Sequence, residues 1–216
     1  MWCRCLLACL LLIGLAPAHA VGEHGRRFAA EIAVMRGDVE QLRAADTRPL
    51  HRRGLRARLE SSLSLLGMLA RQQAQERGVA PARLLARVAT LRDAYRQDNL
   101  ERLRDNLRTL MRDYPLSLPE WDDPAITPAR LAAGRKLYET LCLACHHHPY
   151  QDRENPAYNL FRQARNEPRE IFAARLYGGV RGVPATSLDN PLSIEEMTAL
   201  LVWLLEAPED QIGDAD

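Results

Sequence analysis

Cys142-Leu143-Ala144-Cys145-His146 sets two thiols three residues apart and an imidazole directly after the second. Thiols at that spacing can each form a thioether with a vinyl group on one side of a haem. The histidine that follows then lies beneath the iron as an axial ligand. The histidine run continues through His147 and His148, so Cys142, Cys145 and two imidazoles are also the donor types of a tetrahedral zinc site. Zinc sites usually draw their ligand pairs from two separated places, whereas these donors all fall within residues 142–148. The spacing therefore favours one covalent haem, with Cys142 and Cys145 as attachment points and His146 as iron ligand. The two further histidines read as polar residues near the haem edge, facing solvent.

The other cysteines sharpen this expectation. Cys3, Cys5 and Cys9 lie in a leader-like segment with Arg4 as its only charge, an apolar run from Leu6 to Leu15 and small residues at Ala18 and Ala20. That pattern predicts a secretory signal over residues 1–20, removed after Ala20. Leu6-Leu7-Ala8-Cys9 resembles a lipoprotein box that would leave Cys9 lipidated, but the apolar run continues past Cys9 and little of it precedes. After cleavage only Cys142 and Cys145 remain, so an exported chain would have no disulfide framework and these thiols would be used otherwise. No later stretch is long and apolar enough for a bilayer. The expected location is the periplasm, with no integral span in the mature protein.

Helices must position the motif. Phe28, Ile32, Met35, Val39 and Leu42 recur at helical spacing, and Asp46 to His51, with Pro49, breaks the pattern. Leu55, Leu59, Leu63, Leu66 and Leu69 form a second stripe, ended by Gly78. Leu84, Val88, Leu91 and Tyr95 form a third. Asp98 with Glu101 reads as a capping box opening a fourth, of Leu100, Leu103, Leu107 and Leu110. The alternative fuses the third and fourth stripes into one helix. Narrow apolar stripes need one another, which predicts an antiparallel helical bundle over residues 21–114. Pro115, Pro119, Pro124 and Pro128 predict an extended linker over 115–128. A helix from about Ala129 leads into the motif, a shorter one is expected over about 168–177, and Ser193 with Glu196 marks the start of the last. Residues 208–216 form an acidic tail. The fold class expected is all-α.

From Gly134 through Tyr138 to His146, the chain resembles the first helix and attachment site of class I c-type cytochromes. Leu192 to Glu196, followed by Leu200-Leu201-Val202-Trp203-Leu204, resembles their last helix. The resemblance covers residues 129–207 and implies a haem domain in which Gly134 and Tyr138 let the first helix cross closely over Trp203. It also implies haem c on Cys142 and Cys145, with His146 as proximal ligand. The four-helix cytochromes c′ fit less well, because their motif closes the last helix and here 71 residues follow Cys145. Class I members usually supply a distal methionine from a loop before the last helix. Here that loop places Val183 or Ala185 at the position, and Met197 falls within the last helix. The sixth iron ligand is therefore open. Tyr150, Tyr158 and Tyr177 are weak candidates; His24, His51 and the methionines of the N-terminal half are others. His51, beside Pro49 and Arg52, reads as an exposed loop histidine.

Residues 21–115 carry a formal charge of +7 and residues 116–216 one of −7. This reads first as two solvated surfaces of different drift, and second as a dipole that docks the halves or orients a redox partner. No basic stripe with interleaved aromatics points to nucleic acid. The resulting expectation is a one-electron carrier acting with redox partner proteins. The alternative is a haem protein whose open distal site takes a small gaseous ligand. A third reading, an enzyme with peroxidase-like chemistry at an open iron, has no distal acid–base constellation to support it.

Overall fold

The computed structural model describes residues 22–121, 123–147, 157–179, 190 and 192–212, and these are all-α, with no strand among them. The expected signal segment 1–20, together with His148, Tyr150, Val183, Ala185 and the end of the acidic tail, lies outside the described residues.

Helix α1 (Glu23–Arg43) buries the whole stripe Phe28, Ile32, Met35, Val39 and Leu42. Helix α2 (Pro49–Glu76) buries Leu55, Leu59, Leu63, Leu66 and Leu69. Pro49 stands in the first turn of α2, where its missing N–H costs nothing and its fixed φ suits a helix. The expected break at 46–51 is thus narrower than its composition implied, and His51 is already helical. Gly78 has φ +65°, a left-handed conformation that a Cβ would disfavour, and it turns the chain toward α3 (Ala82–Arg96). Helix α4 (Leu100–Asp113) is separate from α3, because Asp98 has φ +50°. Its cap is Asn99, whose Oδ1 accepts from Arg102 N at 2.9 Å. The expected Asp98–Glu101 capping box is therefore not formed; a single Asn99 cap one residue later takes its place. Helices α1 to α4 pack around one apolar core, each touching its neighbours in sequence, with α1 also against α4.

In the proline-rich segment, Pro119–Trp121 forms a 3-10 turn, and Leu118 and Trp121 are buried. The prolines prevent a long helix there without preventing burial. Helix α5 (Pro128–Leu141) begins at Thr127, whose hydroxyl accepts from Arg130 N at 3.1 Å. It is followed by α6 (Leu143–His146), α7 (Leu160–Asn166), α8 (Arg169–Gly178) and α9 (Ile194–Glu206). The capping box at Ser193 is formed as expected. Ser193 Oγ accepts from Glu196 N at 3.2 Å, and Glu196 Oε2 accepts from Ser193 N at 2.8 Å. The backbone bond, then the hydroxyl, holds the Glu196 carboxyl below its ordinary range. Helix α7 has little signature in the sequence: seven residues are too few to show a period, and its mark is only Asn159, which caps Arg162 N.

Helices α5 and α9 cross at Gly134. A Cβ at that position would overlap the carbonyl oxygen of Ala199 and lie 2.7 Å from Trp203 Cβ, so only glycine permits this approach. Tyr138, Phe161, Leu200, Leu201 and Leu204 fill the second core beside the crossing. Phe161 meets the ring of Tyr138 edge-on at 4.7 Å and that of Trp203 at 6.4 Å.

Helix α8 belongs to both cores. Ala174 packs into the first and Phe172 into the second. A Cβ on Gly37 of α1 would stand 2.5 Å from Ile171 and 2.6 Å from the Arg175 guanidinium, so α1 and α8 touch through a glycine. Beside it lies a buried ionic cluster. Asp38 is 0% exposed and Arg175 is 5% exposed. Arg175 donates to Asp38 at 2.8 Å and, through two nitrogens, to Glu167 at 2.8 Å, while Arg58 of α2 also donates to Asp38. Burial opposes the Arg175 charge, but Asp38 and Glu167 outweigh it and raise its pKa above the ordinary value.

Candidate functional site

The Cys142–His146 motif is a helical turn continuing α5. Cys142 N donates to Tyr138 O at 2.9 Å, and Cys142 O accepts from Cys145 N at 3.1 Å and His146 N at 3.0 Å. Residues at i, i+3 and i+4 of such a turn share a face, so Cys142, Cys145 and His146 are brought together. The two thiols are unlike. Cys142 is buried in the second core, and burial, followed by the nearby Cys145, pushes its pKa up to about 11. Cys145 is exposed. Leu141 and Leu143 flank Cys142 and stay partly in solvent.

His146 is oriented by a backbone group 12 residues further on. Its Nδ1 lies 2.6 Å from the carbonyl oxygen of Tyr158. A carbonyl only accepts, so Nδ1 carries the proton; in the neutral ring the lone pair is then on Nε2. That is the tautomer a metal-ligating imidazole needs, with the second nitrogen held by a hydrogen bond. A carbonyl has no residue type, and sequence reasoning had no mark by which to find it.

His147 does not simply face water. Its Nδ1 is 3.3 Å from the hydroxyl of Tyr138, whose pKa is raised by burial and then by Cys142. Among the described residues, no three of His, Cys, Asp and Glu are grouped as ligands of one metal ion.

His51 differs most from expectation. It is 6% exposed, and its ring stacks on that of Tyr158 at 4.2 Å with 23° between planes. Nη2 of Arg48 lies 3.3 Å from its Nδ1 and 3.4 Å from its Nε2. The early start of α2 at Pro49 puts His51 on a helix rather than in a loop, and that helix is packed.

The residues that the sequence offered as a further ligand for a bound metal are placed as follows. The carbonyl of Tyr158 faces Nδ1 of His146, the ring edge away from Nε2, so Tyr158 and the stacked His51 lie on the side of the supporting bond. Tyr177 accepts from Arg26 at 3.4 Å and donates to Glu23 at 3.2 Å, which ties it to α1. Met197 is buried in α9, and its sulfur accepts from Asn190 Nδ2 at 3.3 Å. Met35 is buried in the first core, and His24 is exposed at the start of α1.

No helix among the described residues is long and apolar enough to cross a membrane. Comparison with protein-family models, with curated proteins and with solved structures finds no match to this chain.

Proposed function

We propose that this chain is an exported c-type cytochrome that carries one haem and transfers single electrons in the bacterial cell envelope. The observation that carries the reading is the state of His146: its Nδ1–H is committed to the Tyr158 carbonyl, and Cys142 and Cys145 share its helical face. The donor set fits haem c, which takes two thioethers and one proximal nitrogen rather than three or four grouped protein ligands. In this reading Cys142 and Cys145 hold the group, His146 binds the iron through Nε2, and Tyr158 fixes the imidazole. The attached haem would supply the one-electron redox centre. The glycine crossing of α5 and α9, with Tyr138 and Trp203 beside it, supports likeness to class I cytochromes over residues 129–207. Residues 21–114 are then an appended antiparallel helical bundle, and redox proteins are the partners.

A second reading has its own observation. Met197, the first methionine after Cys145 in the sequence, is buried and engaged by Asn190. A vacant or weakly held sixth position would make the protein a binder of nitric oxide, carbon monoxide or a similar small ligand.

The full-length chain, expressed with its leader in a host that matures c-type cytochromes, should be red. It should gain the mass of one haem and keep its colour through acidic acetone extraction. A colourless product under conditions that mature a control cytochrome overturns the proposal. Adding carbon monoxide to the reduced protein separates the two readings. An unchanged low-spin spectrum supports electron transfer, and rapid conversion to a carbonyl spectrum supports ligand binding.

A further inference from the structure

We infer that the N-terminal helices act on the haem ligand, with His51 as a positioning residue that sets the hydrogen bond from His146 to Tyr158. This rests on the haem reading above and gives the first four helices a role in it.

The geometry is a three-part contact. His51 stands in the first turn of α2, is almost fully buried, and stacks on Tyr158 at 4.2 Å. Tyr158 presents its carbonyl to His146 Nδ1 at 2.6 Å. The contact is braced on both sides. Arg48 lies against the His51 ring at 3.3 Å. Beyond Tyr158, buried Asn159 donates to Ile212 O at 2.8 Å and caps α7. Tyr158 itself is in no helix. Its carbonyl direction therefore depends on what holds the residues around it and the ring it carries. Asn159 fixes the backbone on one side, and His51 fixes the ring.

The surface that delivers His51 is built rather than incidental. Helix α1 meets α8 through Gly37, and the Asp38–Arg175–Glu167 cluster with Arg58 of α2 holds α1, α2 and α8 in register. A shift of α2 would move His51 and so reach His146 through one stack and one hydrogen bond.

The chemical consequence has a sign. A hydrogen bond from Nδ1–H to a carbonyl makes the imidazole more basic toward a metal, which favours the more highly charged ferric iron. Weakening that bond should favour the ferrous state and move the midpoint potential positive.

The test uses the full-length haem-loaded protein and two readouts, the midpoint potential at fixed pH and the solvent-exchange rate of the His146 Nδ1–H proton by NMR. His51→Ala should shift the potential positive and speed the exchange, and His51→Phe, which keeps a flat ring in the stack, should restore both. Tyr158→Leu removes the stack from the other side and should give the same shifts, with no further change in the double variant. Parent-like potential and exchange in His51→Ala and Tyr158→Leu would overturn the inference, as would equal effects of His51→Ala and His51→Phe. A colourless parent protein would instead sink the haem reading itself.

Discussion

Cys142 and Cys145 are chemically unequal although their motif treats them as a pair. One thiol is enclosed by Tyr138 and the second core and the other faces solvent. With its pKa moved from an ordinary 9.0 to about 11, Cys142 has a thiolate fraction near neutral pH roughly a hundredfold below that of an ordinary thiol. In the haem-free full-length chain at pH 8, iodoacetamide should therefore label Cys145 much faster than Cys142. The gap should close as the pH rises toward 11 or when urea unfolds the chain. Mass spectrometry of the labelled peptides checks this, and equal rates in the folded chain would contradict the burial of Cys142. The spacing of Cys142, Cys145 and His146 was plain in residue types. The support of His146 was not, because it comes from a main-chain oxygen that every residue possesses. His51 departs from its sequence context for a related reason: beside Pro49 and Arg52 its neighbours are those of a loop, while burial depends on what packs over it.

Helices followed from the spacing of apolar residues wherever they were long. The stripes of α1 and α2 are buried without exception, and the Ser193–Glu196 box opens α9 as composition predicts. Short elements and exact caps were less readable. Asp98 and Asn99 are both good capping types, and a positive φ at Asp98 decides that Asn99 takes the role. The α5–α9 crossing is the packing on which the motif depends. A methyl group at residue 134 meets backbone, which cannot rotate aside as a side chain can. Gly134→Ala should thus destabilise the chain by about 1–3 kcal/mol, the usual range for overpacking. Urea unfolding followed by far-UV circular dichroism measures it, and an unshifted midpoint would mean that the two helices part without cost.

The two cores are joined by α8, and the joining charges run against the overall drift. The basic half contributes Asp38 and the acidic half contributes Arg175. A net dipole between +7 and −7 halves does not explain such a pair; a specific buried contact does. Burying both ions is costly, and removing one partner is costlier still because the other stays buried without compensation. Asp38→Asn should lower stability by about 3–5 kcal/mol, a change visible in thermal unfolding. It should also loosen α8 from α1, detected as faster amide hydrogen exchange in both helices. Exchange confined to one helix would show that the cluster does not couple them.

By itself, the order of amino acids determined that the described residues are helical, where the longer helices run, and that Cys142, Cys145 and His146 stand at the spacing of one helical turn. Those properties are written in short-range spacing, which residue type controls directly. Tertiary structure alone decided that the Tyr158 carbonyl holds His146, that His51 lies behind Tyr158, and that α8 is shared by both cores. Each of these joins groups far apart in sequence, and their meeting depends on glycine-permitted contacts and buried charges that only the packed chain brings within reach.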